Sequence, residues 1–524
     1  MRGRDVLDTP LLSISRDSQF TLRDAVQGVF VSGGIGSGKT SGSGAALAAA
    51  YLKSGMGGLV LCAKPEEAEL WRRYCAKYGR SKHLVELNGW NGGLNAFAYE
   101  LVRQGPAGIN AVVEFTMRIL EIARSASPDP GRTGDEFWGS STRQILRNAI
   151  PVVYCATGTI TIADLLRFVR TAPRSPEEMA DPNWQRDSFF FHCYLKAAAL
   201  LDDATGERTI AYWRNDFATL DPKTRGNIVI SLTTALDRFN HGWLAQMFCS
   251  ESTVVPELTF HGQIILLNMP ALTLNEDGII AQQLFKYMWQ RAVLARNSLS
   301  QAQQERFVFL WADEAQYFVN SFDGEFLSTC RGSRACVVFL TQSLPTFYAK
   351  MGGPEARDRV HHLLGNFATK IWHNNSCPET NEWASRTIGR SLQQRSNHST
   401  SEGTNQNFGM NMGEGSNWNR NRKSGGFFGV GGGFGSGDDP LWHGEPGSEG
   451  GGDNWGRNRG HGRSSNTSWG TSEQMDHIIE AGQFGRMLKT GGPANGNRVS
   501  AVWYQAGRRF ASDVNFFVAE FAQS

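Results

Sequence analysis

Apolar residues cluster in short unbroken runs at both ends of the chain and in helical spacing in between. Gly28-Val29-Phe30-Val31-Ser32 predicts a strand buried on both faces. A glycine-rich turn follows, and the next stretch predicts a helix from Lys39 to about Ser54, stopped by Gly55. GGLVLCA (57–63) and the run 83–87 predict second and third strands, so strands alternate with helices as in a parallel sheet. From about Phe97 to Pro256 the spacing turns helical. Val113, Phe115, Met117, Ile119, Leu120 and Ile122 are too dense for a surface helix and predict a buried one. Further helices are predicted over 138–155, over 162–170 behind the cap Thr161, and over 224–239, which together make an all-α subdomain inserted between strands. Strands resume over 262–268, 306–312, 334–341 and 367–372, with a helix over 355–364.

Composition changes this picture at one place. Of 524 residues 59 are Gly, and they concentrate between about Ser391 and Thr471 among Ser, Asn, Arg and scattered Phe and Trp. Too few apolar residues persist there to offset chain entropy, so disorder is expected. VSAVWY (499–504) then predicts a last strand, which makes the glycine-rich block an insertion within the fold. The formal charge of +2 gives no global pull towards nucleic acid or membrane. Eight scattered cysteines without a CxxC fit reduced thiols in a cytosolic protein, not zinc or disulfides. No apolar run approaches the roughly 20 residues that span a bilayer, and Met-Arg-Gly-Arg-Asp lacks the apolar core of a secretory signal. The expectation is a cytoplasmic protein.

The sharpest motif is Gly33-Gly34-Ile35-Gly36-Ser37-Gly38-Lys39-Thr40, a full GxxxxGK[ST] placed after a strand and opening a helix. Its glycines let successive backbone N–H groups point at phosphates, at a helix end that favours anions. In this pattern Lys39 reaches the β and γ phosphates and the Thr40 hydroxyl binds Mg²⁺. A chance glycine turn would lack that strand–turn–helix context. The run Phe307–Ala312 ends in Asp313-Glu314, which fits a Walker B element: Asp313 helps hold Mg²⁺ and Glu314 polarises the attacking water. One acidic cap at a strand end is common; two adjacent carboxylates beside a P-loop are not. Without Asn-Lys-x-Asp to read guanine, ATP is preferred over GTP. Gln342, closing the strand that ends in Thr341, is placed to sense the γ-phosphate. Arg331, just upstream of that strand, is either a surface ion-pair partner or an arginine finger for the adjacent subunit.

This order of motifs, with the Arg331 to Gln342 spacing, resembles the conjugative coupling proteins, the TraD/TraG group of type IV secretion ATPases in the FtsK/HerA-like branch of RecA-type motors. The resemblance covers about 20–390 and the C-terminal strand, and Phe137-Trp138 with Arg143 resembles the opening of that family's all-α domain. It implies an α/β, RecA-like P-loop NTPase with a mostly parallel central sheet. The expected organisation is a first part of the nucleotide-binding domain at 20–96, an inserted all-α domain at 97–258 and a second part at 259–390. The low-complexity insertion follows at 391–475, and 476–524 completes the nucleotide domain. It also implies hexameric rings that hydrolyse ATP at subunit interfaces to move DNA, with relaxosome or secretion-apparatus proteins as partners. In that family's terms Lys39, Thr40, Asp313 and Glu314 form the nucleotide site, Gln342 the sensor and Arg331 the finger acting in trans. One departure stands out: Ala63-Lys64-Pro65-Glu66 occupies the place of the family's Asp-Pro-Lys.

The insertion carries Trp418, Arg420, Arg422, Lys423, Trp455, Arg457, Arg459 and Arg463, an aromatic–arginine mixture that suits single-strand binding. Asp438, Asp439, Glu445 and Glu449 offset those charges, so a solvated loop is the other reading. His361-His362, with His373 near Cys377, suggest a metal, but adjacent residues diverge by about 100° on a helix and do not chelate together, so no metal site is expected there. Two alternatives to a DNA translocase stay open: a secretion ATPase that handles protein, and a nucleotide-gated receptor that recruits cargo.

Overall fold

The computed structural model describes residues 5–15, 17–126, 135–201, 203–410, 457–510 and 513–523. The strands are β1 (Pro10–Ser13), β2 (Gln19–Thr21), β3 (Val29–Ser32), β4 (Gly57–Leu61), β5 (Leu84–Leu87) and β6 (Ile264–Leu267). They continue with β7 (Val308–Ala312), β8 (Ala335–Thr341), β9 (Thr369–His373), β10 (Arg390–Met410), β11 (Arg457–His477), β12 (Arg498–Gln505) and β13 (Phe516–Ala522). The chain forms two compact units, one of 1–388 with 479–524 and one of 389–478.

The first unit is built on a nine-stranded sheet of order β13-β12-β9-β3-β8-β7-β4-β6-β5. The seven strands from β9 to β5 run parallel, and β12 and β13 are added antiparallel at one edge. The unbroken apolar runs are explained by burial on both faces. Along β7, Val308, Leu310 and Ala312 enter one core while Phe309 and Trp311 enter the other. Helices Ala45–Lys53 and Pro65–Lys77 cover the second face, where Trp71 stacks on Phe309 with ring centroids 5.6 Å apart. The first face merges with the helices between β5 and β6, so the helical insertion shares one continuous core with the sheet: Val113, Phe115, Ile119 and Ile122 join Leu310 and Phe339.

Helices Gly108–Ala126, Asp135–Thr157, Ile162–Arg170 and Pro222–Asp237 fall where the spacing predicts them, and Thr161 caps its helix by accepting from the Asp164 amide. The Phe137 and Trp138 side chains lie outside the described residues. Arg143 pairs with Glu114 of the neighbouring helix. No single helix among the described residues is long and apolar enough to cross a membrane; one bent pair, Gly139–Thr157 with Ile162–Arg170, meets the length and composition. That pair turns Ile145, Leu146, Ile150, Val153, Leu165 and Phe168 into the protein core.

Three features differ from the sequence expectation. The helix expected from Lys39 opens as a π-turn over Thr40–Gly44 before Ala45–Lys53 continues as α-helix. Gly42 is pressed against Val499, where a Cβ would stand 2.4 Å from Cγ2, and this close approach goes with the widened turn. The C-terminal segment adds β13 beyond the predicted last strand, paired in register with β12 from Arg498↔Ala522 to Tyr504↔Phe516. The flanks of the glycine-rich block, given no element by composition, pair as a ribbon in the second unit from Arg390↔His477 to Met410↔Arg457. Strand pairing satisfies backbone groups without needing an apolar core. The block's centre, with Trp418, Arg420, Arg422, Lys423, Asp438, Asp439, Glu445, Glu449 and Trp455, lies outside the described residues.

Candidate active site

The motif residues meet because parallel strands point their carboxyl ends the same way. β3 delivers Gly33–Thr40, β7 delivers Asp313 and Glu314, β8 delivers Gln342, β4 delivers Lys64, and β9 ends at His373. In an open parallel sheet this is the edge where ligands bind.

The loop after β3 is anchored by backbone hydrogen bonds from the Gly33 amide to Thr341 (3.2 Å) and from the Gly34 amide to Asn374 (2.8 Å). Its glycines are required by geometry at two points. Gly36 (φ +72°) and Gly38 (φ +83°) adopt left-handed backbone, and a Cβ on Gly38 would stand 2.3 Å from Val499 Cγ1. Around Gly36 nothing lies within 4 Å of such a Cβ, and Ile35 is 87% exposed, so the crest of the loop is open to a ligand. Lys39 is buried at the start of the following turn.

Thr40 Oγ1 donates to Asp313 Oδ2 at 2.7 Å, which brings two hard oxygen donors together across 273 residues of sequence. That donor set, next to an open glycine cradle, fits a triphosphate with Mg²⁺. Burial pushes the Asp313 carboxyl up, opposed by Lys39 and by the Thr40 hydrogen bond.

Glu314 adopts left-handed backbone (φ 49°, ψ 48°), a conformation costing a non-glycine residue about 1–2 kcal/mol. Its carboxylate is held from three sides. Oε1 accepts from Lys64 Nζ and from Gln342 Nε2, both at 2.9 Å, and Oε2 accepts from Gln316 Nε2 at 2.9 Å. Burial works to raise its pKa, but the bonds from Gln316, Gln342 and Lys64 outweigh it and hold the group below the ordinary range.

Gln342 therefore sits at the strand end the sequence assigned, bonded to Glu314, with its own carbonyl accepting from Asn375 Nδ2 at 2.9 Å. Arg331 does not join this cluster. It is exposed in the turn before β8, and the seven residues of that strand, roughly 23 Å at 3.3 Å per residue, separate it from Gln342.

Sequence reasoning considered His373 only as a metal ligand and missed its place under the loop. His373 is fully buried beneath the loop, its Nε2 2.7 Å from Ser43 Oγ in the π-turn, and a Cβ on Gly33 would stand 2.6 Å from its own Cβ. Burial lowers its pKa to about 3, so the ring is neutral at neutral pH. Gln316 also escaped notice; Thr341 Oγ1 donates to its side-chain oxygen at 2.9 Å and so fixes which end of the amide faces Glu314. The only available signal was position: each lies within two residues of a motif or closes a predicted strand.

Comparison with known proteins agrees with this geometry. Residues 307–425, the segment from β7 through β9 into the ribbon, match the family described as the TraM recognition site of TraD and TraG. The solved structure of the bacterial conjugative coupling protein TrwBdeltaN70, in an unbound monoclinic form, aligns with 98% of this chain and 89% of its own at TM-score 0.53 and 13% identity. The chain shares the fold of that coupling protein, and its segment 307–425 is similar to the one described for TraD and TraG. The resemblance read from the motifs and the RecA-like α/β class are thereby borne out. TrwB in complex with ADP and Mg²⁺ aligns at TM-score 0.47, 16% identity, 74% of this chain and 80% of that one. VirB4 of Thermoanaerobacter pseudethanolicus aligns at 0.42, 15% identity, 74% and 93%. At those scores neither adds to the argument. No curated protein matches the chain.

Proposed function

We propose that the protein is an ATP-driven coupling motor that hydrolyses ATP at subunit interfaces of a hexamer to move or recruit DNA for conjugative or type IV secretion-like transfer. The observation that carries this reading is the Thr40–Asp313 hydrogen bond below an open glycine loop, with the Glu314 carboxylate on the neighbouring residue. Bound Mg²⁺ would supply charge neutralisation on the β and γ phosphates. The remaining work belongs to this chain. The loop amides and Lys39 bind and orient the phosphates, Thr40 and Asp313 hold the metal, and Glu314 polarises the attacking water. Gln342, already bonded to Glu314, ties that carboxylate to the end of β8 and is positioned to report the terminal phosphate. Arg331, remote within its own chain, acts on the neighbouring subunit's nucleotide. The open glycine cradle beside the Thr40 and Asp313 oxygens supports ATP with Mg²⁺ as the ligands here.

A recruitment role has its own support, because the family matching 307–425 is described as a TraM recognition site. We propose that a relaxosome or secretion-apparatus protein docks on this segment and brings an otherwise cytoplasmic motor to the inner membrane. Equilibrium binding of a fluorescent ATP analogue tests the nucleotide site: binding should require Mg²⁺ and fall at least about tenfold in Lys39→Ala, a loss of one charged phosphate contact. Binding unchanged by that substitution would remove Lys39 from the site.

A further inference from the structure

We infer that Lys64 is a positioning residue that restrains the Glu314 carboxylate, and that phosphate groups of a nucleic-acid backbone relieve the restraint by drawing the ammonium away. The inference rests on the hydrolytic reading of the site.

Lys64 stands between β4 and helix Pro65–Lys77, with extended backbone (φ −125°, ψ 151°) just before the helix-initiating Pro65. Its ammonium reaches across to Glu314 Oε1 at 2.9 Å, where Gln342 Nε2 already donates at 2.9 Å, while Gln316 takes Oε2 at 2.9 Å. A carboxylate offers about four lone-pair positions. Side chains fill three of them, including both on Oε1, so one oxygen is closed to an attacking water and the other is half occupied. A group that polarises water needs a free acceptor within hydrogen-bond reach of it.

The three partners are not equally fixed. Gln316 is buried and its own oxygen is held by Thr341. The backbone of Gln342 is held by Asn375 at the end of β8. Lys64 carries the full positive charge on a flexible stem, and its side chain is 42% exposed against 4% for Glu314. It is therefore the partner able to leave without dismantling the core, and its departure opens Oε1. The cost of leaving is an ion pair, so it leaves for another anion, and a phosphodiester arriving from solvent offers one. The Lys64–Glu314 pair thus links polymer contact to the freedom of the water-polarising carboxylate.

The test is steady-state ATP hydrolysis by full-length wild type, Lys64→Met, Lys64→Arg and Glu314→Gln, each with no polymer, single-stranded DNA, duplex DNA or polyglutamate. Equilibrium nucleotide binding is measured alongside. Lys64→Met should raise polymer-free kcat several-fold, leave KM unchanged and respond little to DNA, whereas Lys64→Arg should keep wild-type restraint and stimulation. Equal polymer-free rates in wild type and Lys64→Met, or a lower rate in Lys64→Met, would overturn the restraint. Stimulation of wild type by polyglutamate as strong as by DNA would overturn the assignment to phosphate. If every protein binds nucleotide and none hydrolyses it, the hydrolytic reading fails and the restraint with it. A wild type that hydrolyses beside a silent Glu314→Gln, with no gain in Lys64→Met, sinks the Lys64 inference alone.

Discussion

At the scale of single residues, chemistry was readable where a residue type is tied to a motif and hidden where it is tied to packing. Lys39, Thr40, Asp313 and Glu314 announce themselves by spacing, and the structure brings Thr40 and Asp313 to 2.7 Å. His373 gives no such sign, because a histidine closing an apolar strand looks like any core residue until β9 is seen beside β3. Its burial has a consequence for pH. The ring stays neutral in the folded protein down to about pH 3, whereas the unfolded chain takes up a proton near its ordinary value of 6.5. Between those two values the unfolded state binds more protons, so falling pH removes stability, at up to about 1.4 kcal/mol per pH unit for this group. Urea unfolding of wild type and His373→Gln from pH 7 to 4 should show the wild type with the steeper loss below 6.5. Parallel curves would mean that the ring titrates alike in both states.

At the scale of elements, the unbroken apolar runs made the parallel strands legible to within two residues, since burial on both faces leaves no polar alternation to misread. What stayed hidden were elements whose stability comes from a partner. β13 has the mixed burial of an edge strand, and its register depends on β12. The long ribbon of β10 and β11 is rich in Gly, Asn and Ser, residues that disfavour strands unless pairing supplies the hydrogen bonds. The close fit of β12 against the Gly33–Thr40 loop was equally invisible, because it is a tertiary contact of Val499. That fit separates two glycines of one motif. Gly36→Ala adds only left-handed backbone cost, about 1–2 kcal/mol, since its Cβ would meet nothing within 4 Å. Gly38→Ala adds a clash with Val499 at 2.3 Å and should cost clearly more, with partial recovery in Gly38→Ala/Val499→Ala. Urea denaturation midpoints check this. Equal losses for the two glycines would contradict the fit.

At the scale of the whole molecule, strand direction explains why Lys39, Thr40, Asp313, Glu314 and Gln342 gather at one end of the sheet while Arg331 stays at the other. Arg331 precedes β8 while every other motif residue follows a strand, so the same sheet places them at opposite ends. Subunit mixing tests the proposed trans role: mixtures of Arg331→Ala with Lys39→Ala protein should regain part of the hydrolysis that each lacks alone. No recovery in any mixture would count against a shared interface site. The most direct measurement of the central claim is steady-state ATP hydrolysis with no polymer, single-stranded DNA, duplex DNA or unfolded polypeptide, with Glu314→Gln as background. The account predicts Mg²⁺-dependent turnover stimulated by DNA and abolished in Glu314→Gln while nucleotide binding persists. Turnover retained in Glu314→Gln, or stimulated by polypeptide alone, would contradict it.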